Sequence, residues 1–375
     1  MTINYLAPSG GVVRLPGKFG DMDMFEALKG KRILVTGDTG FKGSWLVLWL
    51  LEIGAEVQGY SLPPDNDFTH FRTTGLECLI RHTDGDIRDL EAFYQVMADF
   101  QPEIVFHLAA QALVRKSYQE PKNTFDTNIG GSVNILEAVR LTPSVLALVF
   151  ITSDKCYRNK EWVWGYREND RLGGQDPYSA SKAAAEMVFN AYFESFFLDR
   201  EQFGAATTRA GNVIGGGDWA QDRIIPDCMR ALEDNQEIVL RNPAATRPWQ
   251  HVLEPLSGYL QLATCLVTKP SRYSGAWNFG PSTRSVRSVG ELVQNVIELW
   301  GSGSMKIEEE ENAPHEANLL QLNTDKAQIE MGWHPHWDAE RSIKETVSWY
   351  RRTHEGEQPT DVSRAQIKRY MEDFK

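Results

Sequence analysis

The chain has 375 residues, of which 42% are apolar and 24% are charged, and its formal net charge is -12. These proportions are ordinary for a globular protein with a sizeable core, built as one large domain or two closely joined ones. The negative charge argues against nucleic acid or an anionic membrane as a partner. A few local arginines can still attract an anionic substrate at close range.

The four cysteines are scattered and include no CxxC pair: Cys78, Cys156, Cys228 and Cys265. This usage predicts reduced thiols and a cytoplasmic location rather than disulfides or a zinc site. The longest apolar stretch, Trp45 to Leu51, is too short to span a membrane, and the N-terminus shows no signal-peptide pattern. We expect residues 1–21, which are rich in glycine and proline, to form an extension outside the fold.

Strand and helix patterns alternate from residue 31 onward. A strand over Lys31–Thr36, a helix over Gly43–Ile53 and a strand over Ala55–Tyr60 form a βαβ unit, which requires parallel strands. The alternation then continues with a helix over 90–100, a strand over 104–108, a helix over 125–141, a strand over 146–152, a helix over 177–197 and a strand over 205–209. This order predicts an α/β fold with a Rossmann-type doubly wound parallel sheet.

The pattern changes after Gly211, where glycines and prolines interrupt the chain and the strands become brief. We predict a main domain over residues 22–211 and about 252–285. A smaller, discontinuous α/β lobe is predicted over about 212–251 and 286–350, and a C-terminal tail over 351–375. Within the main domain, Gly275–Gly280 has the pattern of a strand that returns to the main sheet.

A glycine-rich turn lies between the first strand and the first helix. Gly37, Gly40 and Gly43 form a GxxGxxG motif, which lets the backbone turn tightly and approach a pyrophosphate at the helix N-terminus. A tight turn without a ligand is the alternative, but the position between strand and helix favours a dinucleotide site.

The second strand bears on which dinucleotide binds. It ends in Gly59, Tyr60, Ser61 and Leu62, which offer neither the usual ribose-binding acid nor an arginine for a 2′-phosphate. We therefore predict NAD, held loosely at the ribose. Asp86 is either an acceptor for the adenine amino group or an ordinary turn aspartate. The residues expected to line the cofactor are Gly37, Thr39, Gly40, Phe41, Gly43, Ser61, Asp86, Ile87, Leu108, Ala109, Ala110, Tyr178 and Lys182.

A candidate catalytic set follows the strand over 146–152. Tyr178 and Lys182 lie four residues apart on a helix that begins at Asp176-Pro177, so they share one face. We expect a neighbouring cation to lower the tyrosine pKa from about 10. Ser153 lies at the carboxyl end of the strand, where ligands bind in such sheets. The three side chains suit oxidation of an alcohol or reduction of a ketone; the alternatives are a surface Tyr–Lys pair and a capping serine.

Five segments carry a resemblance to a known family: TGDTGFKGSWL, HLAAQALVRKSY, TSDKCYRNKEW, DPYSASKAAAE and RAGNVIGGGDW. They are similar to the extended short-chain dehydrogenase/reductases, and most closely to the CDP-glucose 4,6-dehydratases, over roughly residues 26–350. The resemblance implies NAD in the main domain, CDP-glucose in the smaller lobe, and a homodimer formed through the helices over 125–141 and 177–197. It also implies a role in deoxysugar synthesis for bacterial lipopolysaccharide O-antigen.

The same resemblance implies C4 oxidation, loss of water across C5 and C6, and hydride return to C6. Asp154 would be the acid for the C6 hydroxyl, and Lys155 the base for the C5 proton. A solvated ion pair is the alternative, and both side chains reach one substrate only if the strand has already turned. A nucleotide-sugar epimerase or reductase would need only Ser153, Tyr178 and Lys182. A non-catalytic NAD-binding regulator is a further alternative.

Amide and guanidinium groups are expected around the sugar nucleotide, since they suit a diphosphate. These residues are Asn128, Arg209, Asn212, Arg223, Arg241 and Arg247. Asn128 has the alternative of a buried packing amide, and Arg241 that of packing within the smaller lobe. The segment His315–Asn318 lacks the arginines that family members often carry after a histidine.

Two aromatic segments also have alternative interpretations. Trp162, Trp164 and Tyr166 are either a lid over the site or an apolar patch that seals a long loop. His334-Pro335-His336 fits a rigid aromatic turn better than a metal site, so we predict no bound metal.

Overall fold

The computed structural model describes residues 25–282, 285–308 and 319–374, together with the short antiparallel strands Tyr5–Leu6 and Val12–Val13. Most of the predicted N-terminal extension and the whole of His315–Asn318 lie outside the described residues.

Seven strands form the main sheet and are numbered here in chain order. They are β1 Arg32–Thr36, β2 Glu56–Ser61, β3 Arg81–Asp84, β4 Ile104–His107, β5 Ala147–Ile151, β6 Gly204–Ala210 and β7 Gly275–Phe279. Their order across the sheet is β7-β6-β5-β4-β1-β2-β3 and every neighbouring pair is parallel. The order reverses between β1 and β4, which opens a crevice at the carboxyl ends of the strands. The predicted fold class is confirmed, as is the return of β7 to the sheet.

Helices flank the sheet. The principal ones are Phe41–Ile53, Leu90–Phe100, Val114–Gln119, Pro121–Phe125, Ser132–Leu141, Pro177–Tyr192, Ile224–Glu233, Leu253–Thr268, Val289–Trp300, Ala339–His354 and Pro359–Glu372. The helix predicted from residue 125 instead begins at Pro121, because proline is well suited to a first helical turn. Its central part, Asp126–Gly131, is π-helical. None of the described helices is long and apolar enough to cross a membrane.

The core lies on both faces of the sheet because side chains alternate along each strand. In β1, Ile33 and Val35 join one buried cluster, and Leu34 joins the other. The helix Phe41–Ile53 is apolar on all sides and its residues 45–50 are fully buried, as expected for a helix enclosed by other elements. The helix Pro359–Glu372, from the predicted C-terminal tail, also packs into the core.

Three short strand pairs lie outside the main sheet, within the residues predicted for the smaller lobe. The pairs are Val213–Ile214 with Gln250–His251, Thr246–Pro248 with Val286–Ser288, and Ile238–Leu240 with Met305–Ile307. The first of these pairs begins soon after β6 and therefore lies at the carboxyl edge of the sheet, next to the crevice.

Candidate active site

A short turn follows β5 at the carboxyl edge. The strand ends at Ile151, and Asp154–Cys156 form one 3₁₀ turn. The Ser153 hydroxyl accepts a hydrogen bond from the backbone N–H of Lys155 at 3.2 Å and donates one to Asp154 Oδ1 at 2.9 Å. Since the chain has left the strand before Asp154, the acid and the lysine are not forced onto opposite faces of the sheet.

The helix Pro177–Tyr192 brings the tyrosine to this turn. Asp176 caps the helix by accepting the backbone N–H of Ser179 at 2.9 Å, a strong N-terminal signal. Tyr178 and Lys182 are buried, and the Ser153 hydroxyl lies close enough to Tyr178 to affect its pKa. The structure therefore brings the predicted serine and tyrosine together, with the lysine one turn further along the same helix.

Burial dominates the electrostatics of Tyr178. It raises the pKa of Tyr178 to about 12, although the Ser153 hydroxyl and the charge of Arg223 act in the opposite direction. The prediction that a neighbouring cation lowers this pKa is therefore wrong in its net direction, because the lost hydration of a phenolate outweighs these contacts.

Burial also shifts the pKa values of Asp154 and Lys182, in ways that suit proton transfer. Burial raises the pKa of the Asp154 carboxyl, while the charge of Lys155 and the Ser153 hydrogen bond oppose the rise. Burial lowers the pKa of Lys182 to about 8, and the nearby carboxylate of Glu186 opposes that change. A carboxyl group that retains its proton more readily is a better acid near neutral pH.

Lys42 is a site residue that the sequence analysis missed. It lies in the first turn of the helix after the glycine motif and is half-buried. Burial lowers the pKa of Lys42 to about 8, as does the charge of Arg223, whereas Asp154 and Asp218 raise it. The available signal was a cationic residue directly before the last glycine of the motif.

The glycine-rich turn leaves room only for backbone. Gly37 has a φ of 75°, and a Cβ atom there would lie 2.7 Å from the backbone nitrogen of Ala109. A Cβ atom on Gly43 would lie 2.0 Å from the Gly37 carbonyl oxygen. Only glycine fits at these positions, and the bare backbone at a helix N-terminus fits the pyrophosphate of a dinucleotide. The predicted segment Leu108–Ala110 follows β4 beside this turn.

Hydroxyl groups occupy the expected ribose end of the site. Thr39 Oγ1 is hydrogen-bonded to Ser61 Oγ at 2.8 Å and donates to the Leu62 carbonyl at 2.9 Å. The Thr39 and Ser61 hydroxyls lie at the position where related nucleotide-binding sheets usually carry an acidic side chain.

Asp86 and Ile87 have partners within the protein. The guanidinium of Arg88 donates from Nε to both carboxylate oxygens of Asp86, at 3.0 and 2.9 Å, and holds the pKa of Asp86 below its usual range. This pairing fits the turn-aspartate alternative better than an adenine contact. Ile87 is buried and so close to Gly131 that a Cβ atom on Gly131 would lie 2.5 Å from its Cδ1.

Asn128 is engaged entirely by neighbouring protein groups. Its Oδ1 accepts the backbone N–H of Gln111 at 2.8 Å, and its Nδ2 donates to the Gln111 carbonyl at 3.0 Å and to Ser181 Oγ at 2.8 Å. Both amide hydrogens are used in these contacts. These contacts fit the packing alternative for Asn128.

Arg209 does not reach the crevice. Its side chain is 2% exposed, and Nε and Nη2 each donate to the Glu186 carboxylate at 2.8 Å. Its Nη1 donates to the Tyr157 hydroxyl at 2.6 Å and to the Glu168 carbonyl at 2.9 Å. The prediction that Arg209 binds the diphosphate is therefore wrong, because buried protein acceptors take up its guanidinium.

Arg223 and Asn212 lie at the crevice. Arg223 precedes the helix Ile224–Glu233, is 35% exposed and donates to Asp218 Oδ2 at 2.9 Å. Its charge acts on both Tyr178 and Lys42. Asn212 is half-buried and lies two residues after the end of β6. Its carbonyl accepts the backbone N–H of Gln250 at 3.2 Å.

Arg247 and Arg287 face each other in the smaller lobe. They are register partners in the antiparallel pair Thr246–Pro248 and Val286–Ser288. Like charges directly opposite each other are destabilising, and Glu340, which lies 3.8 Å from Arg287, offsets part of this cost. The sequence analysis did not single out Arg287. Arg241 is 47% exposed and lies 3.5 Å from Asp222, which fits its packing alternative.

The aromatic loop after the turn is largely a packed cluster. The rings of Trp162 and Tyr166 stack at 5.2 Å, and those of Tyr157 and Tyr166 at 5.1 Å. Trp164 is 70% exposed. The apolar-patch alternative thus describes Trp162 and Tyr166.

The histidine turn near the C-terminus is also a packed aromatic element. The ring of His336 packs edge-on against Tyr370 at 5.7 Å and against Phe374 at 4.4 Å. Among the described residues, no group of three or more His, Cys, Asp or Glu side chains is arranged to hold a metal ion.

A family model for GDP-mannose 4,6-dehydratase matches residues 34–346. The chain belongs to this dehydratase family. The CDP-glucose 4,6-dehydratase of Salmonella typhimurium is 48% identical over 347 residues, which cover 92% of this chain and 97% of that protein. The dTDP-glucose 4,6-dehydratase of Shigella flexneri is 25% identical, with coverage of 85% and 92%. The resemblance predicted from the five sequence segments is confirmed.

Solved structures of dehydratases and epimerases share the family fold. The dTDP-glucose 4,6-dehydratase from Bacillus anthracis in complex with NAD has a TM-score of 0.72 at 23% identity, covering 88% of this chain and 99% of that chain. The UDP-glucose 4-epimerase from Thermotoga maritima has a TM-score of 0.73 at 23% identity, with coverage of 86% and 99%. At this identity, the similarity establishes the fold.

Proposed function

We propose that the protein is an NAD-dependent CDP-glucose 4,6-dehydratase that forms CDP-4-dehydro-6-deoxyglucose. The observation that carries the proposal is the turn after β5, where a buried Asp154 with a raised pKa precedes Lys155 and contacts Ser153. An epimerase or reductase needs no such acid–base pair beside its tyrosine. The 48% identity to the Salmonella typhimurium CDP-glucose 4,6-dehydratase supports the same assignment.

The first step is oxidation of the C4 hydroxyl. Bound NAD supplies the hydride acceptor at C4 and, later, the hydride donor at C6. Tyr178 removes the hydroxyl proton while Ser153 hydrogen-bonds the oxygen. The Ser153 hydroxyl and the charge of Arg223 both favour the phenolate against the cost of burial. The ammonium of Lys182 would hold the nicotinamide ribose.

The second step removes water across C5 and C6. The C4 ketone acidifies the C5 proton, which passes to the side-chain nitrogen of Lys155. The C6 hydroxyl leaves as water after accepting the proton of Asp154. Burial keeps Asp154 ready to donate, since it disfavours the carboxylate. The smaller lobe binds the diphosphate through Arg223, Arg247 and Arg287, with the side-chain amide of Asn212 as a further donor.

A product assay tests this function directly. Purified protein is incubated with NAD and CDP-glucose, and in parallel with dTDP-glucose and UDP-glucose, and the products are identified by NMR and mass spectrometry. We expect the CDP sugar to lose one water and to gain a C6 methyl group and a C4 ketone. Formation of a C4 epimer would favour the epimerase alternative, and no reaction with any of these sugars would favour the regulator.

We also propose that the protein is a cytoplasmic homodimer. All four cysteines are unpaired in the structure, which supports a reducing compartment. The helices predicted to pair across the dimer carry exposed apolar side chains, which are Phe125, Leu141, Met187 and Phe196. Packing against a second copy of the chain would remove these apolar side chains from water. Sedimentation should give about twice the chain mass; a monomer at micromolar concentration would contradict the dimer.

A further inference from the structure

A buried ion pair lies directly behind the catalytic turn. Glu186 is fully buried on the tyrosine helix, one turn beyond Lys182 and two turns beyond Tyr178. Its partner Arg209 lies on β6 and is 2% exposed. A buried pair of this kind contributes little net stability compared with apolar residues of similar size, so its presence calls for another role.

The carboxylate of Glu186 ties three elements together. It accepts hydrogen bonds from Thr152 Oγ1 at 2.5 Å, from Thr207 Oγ1 at 2.8 Å, and from Nε and Nη2 of Arg209 at 2.8 Å each. Thr152 directly precedes Ser153, so the carboxylate connects the start of the catalytic turn to the tyrosine helix. A buried network in which every member is satisfied is rigid.

The guanidinium of Arg209 fixes the other end of the turn. Its Nη1 donates to the hydroxyl of Tyr157 at 2.6 Å, and that hydroxyl donates to Asn278 Oδ1 on β7 at 2.9 Å. Tyr157 directly follows the 3₁₀ turn Asp154–Cys156. The residues immediately before Ser153 and after Cys156 are therefore both anchored on one ion pair.

We propose that the Glu186–Arg209 pair positions the acid–base turn of the dehydratase relative to Tyr178 on the catalytic helix. This role rests on the proposed function. Elimination requires Asp154 and Lys155 to meet one sugar ring while the tyrosine holds its C4 oxygen. A displacement of about 1 Å in such an arrangement costs on the order of a hundredfold in rate. The pair acts through the turn and does not itself touch the substrate.

Thr152→Val tests the role while leaving the ion pair in place. It removes the hydroxyl that donates to Glu186 just before the turn, and it preserves the side-chain shape. Thr346→Val is the matched control, because Thr346 is also buried and donates only to the Ser342 carbonyl of its own helix, at 2.7 Å. We expect kcat to fall about 10- to 100-fold in Thr152→Val, with KM and Tm matching those of Thr346→Val. Equal kcat values in the two variants would overturn the proposal.

The double substitution Glu186→Gln with Arg209→Met separates positioning from stability. It removes both charges together, so that no unpaired charge stays buried. We expect a folded protein whose kcat is at least about tenfold reduced even where its Tm is retained. Wild-type kcat in a folded double variant would show that the pair is only structural and would overturn the proposal. If the double variant does not fold, Thr152→Val decides.

Hydrogen–deuterium exchange keeps this test independent of the proposed function. We expect the backbone amides of residues 153–157 to exchange faster in Thr152→Val than in Thr346→Val or in the wild type. This measurement does not require the substrate to be known. Unchanged exchange would overturn the positioning role. A wild-type protein inactive on CDP-glucose would instead contradict the proposed function, while exchange would still decide the role of the pair.

Discussion

The catalytic half of the crevice and its nucleotide-binding half use charged residues in opposite ways. Asp154, Tyr178 and Lys182 are each less than a tenth exposed, and burial displaces the pKa of all three. In the other half, Arg223 remains 35% exposed beside a single aspartate, and Arg247 is half-buried. Burial prepares groups for proton transfer, whereas accessible cations serve to bind an anion. Substitutions should therefore change kcat in the first half and KM in the second.

Tyr178→Phe should have the largest effect. Without its hydroxyl, no group removes the C4 proton, so kcat should fall by at least about a thousandfold, while NAD binding measured by calorimetry stays close to that of the wild type. Tyr192→Phe is the control, since Tyr192 lies on the same helix and its hydroxyl contacts only Glu137, at 3.3 Å. Turnover near the wild-type rate in Tyr178→Phe would remove this residue from the mechanism.

Arg247→Ala should have an intermediate effect of the other kind. Loss of one charge-assisted contact to the diphosphate should raise KM for CDP-glucose about 10- to 100-fold and leave kcat within a few-fold. Arg272→Ala is the control, because Arg272 is exposed at the amino end of β7, on the opposite edge of the sheet. Steady-state kinetics in which kcat falls and KM stays constant would contradict the division between the two halves.

Buried histidines should limit stability in acid. Burial lowers the pKa of His70, His107 and His251 to about 3 from the ordinary 6.5. The unfolded chain takes up these protons below pH 6.5 and the folded protein does not, so this stability is present above pH 6.5 and is lost as the pH falls. Glu254 acts oppositely, because burial raises its pKa to about 7. Asp154 acts in the same direction as Glu254, since burial raises its pKa too. We expect the three histidines to dominate, which predicts a net loss of unfolding free energy between pH 7 and pH 5.5.

Urea unfolding at pH 7 and at pH 5.5 measures this loss. Glu254→Gln should steepen it, because the substitution removes the group whose protonation favours the folded state in this range. The Gln side-chain oxygen can still accept the backbone N–H groups of His336 and Trp337 that Glu254 accepts. A free energy of unfolding that is equal or higher at pH 5.5 would contradict the neutral state of the buried histidines.

The sequence was sufficient to predict the sheet and the glycine turn, because both depend on local patterns. A β-branched run before glycines indicates a strand, and glycines that admit no Cβ atom indicate a tight turn. The Ser153 and Tyr178 contact was also predictable, since a strand end and a capped helix fix both positions. The structure adds the 3₁₀ turn that carries Asp154 and Lys155. On a regular strand, these two side chains would point to opposite faces of the sheet.

Arginine roles could not be predicted from sequence in the same way. Arg209 and Arg223 both follow the catalytic helix in the sequence, yet one is buried against Glu186 and the other faces the crevice. What separates them is a partner 23 residues away on a helix behind the sheet. Lys42 and Arg287 were missed for a related reason, because only tertiary structure places them beside Asp154 or opposite Arg247.

Solvent deuterium exchange at C5 in Lys155→Ala tests the central claim most directly. If Lys155 removes the C5 proton, the variant should still oxidise C4 through Ser153 and Tyr178. Bound NADH should then accumulate on addition of CDP-glucose, and deuterium should enter C5 roughly a hundred- to ten-thousand-fold more slowly than in the wild type. Lys122→Ala, a change at an exposed lysine paired with Asp126, should behave as the wild type. Full dehydration and normal C5 exchange in Lys155→Ala would contradict the account and require a different base.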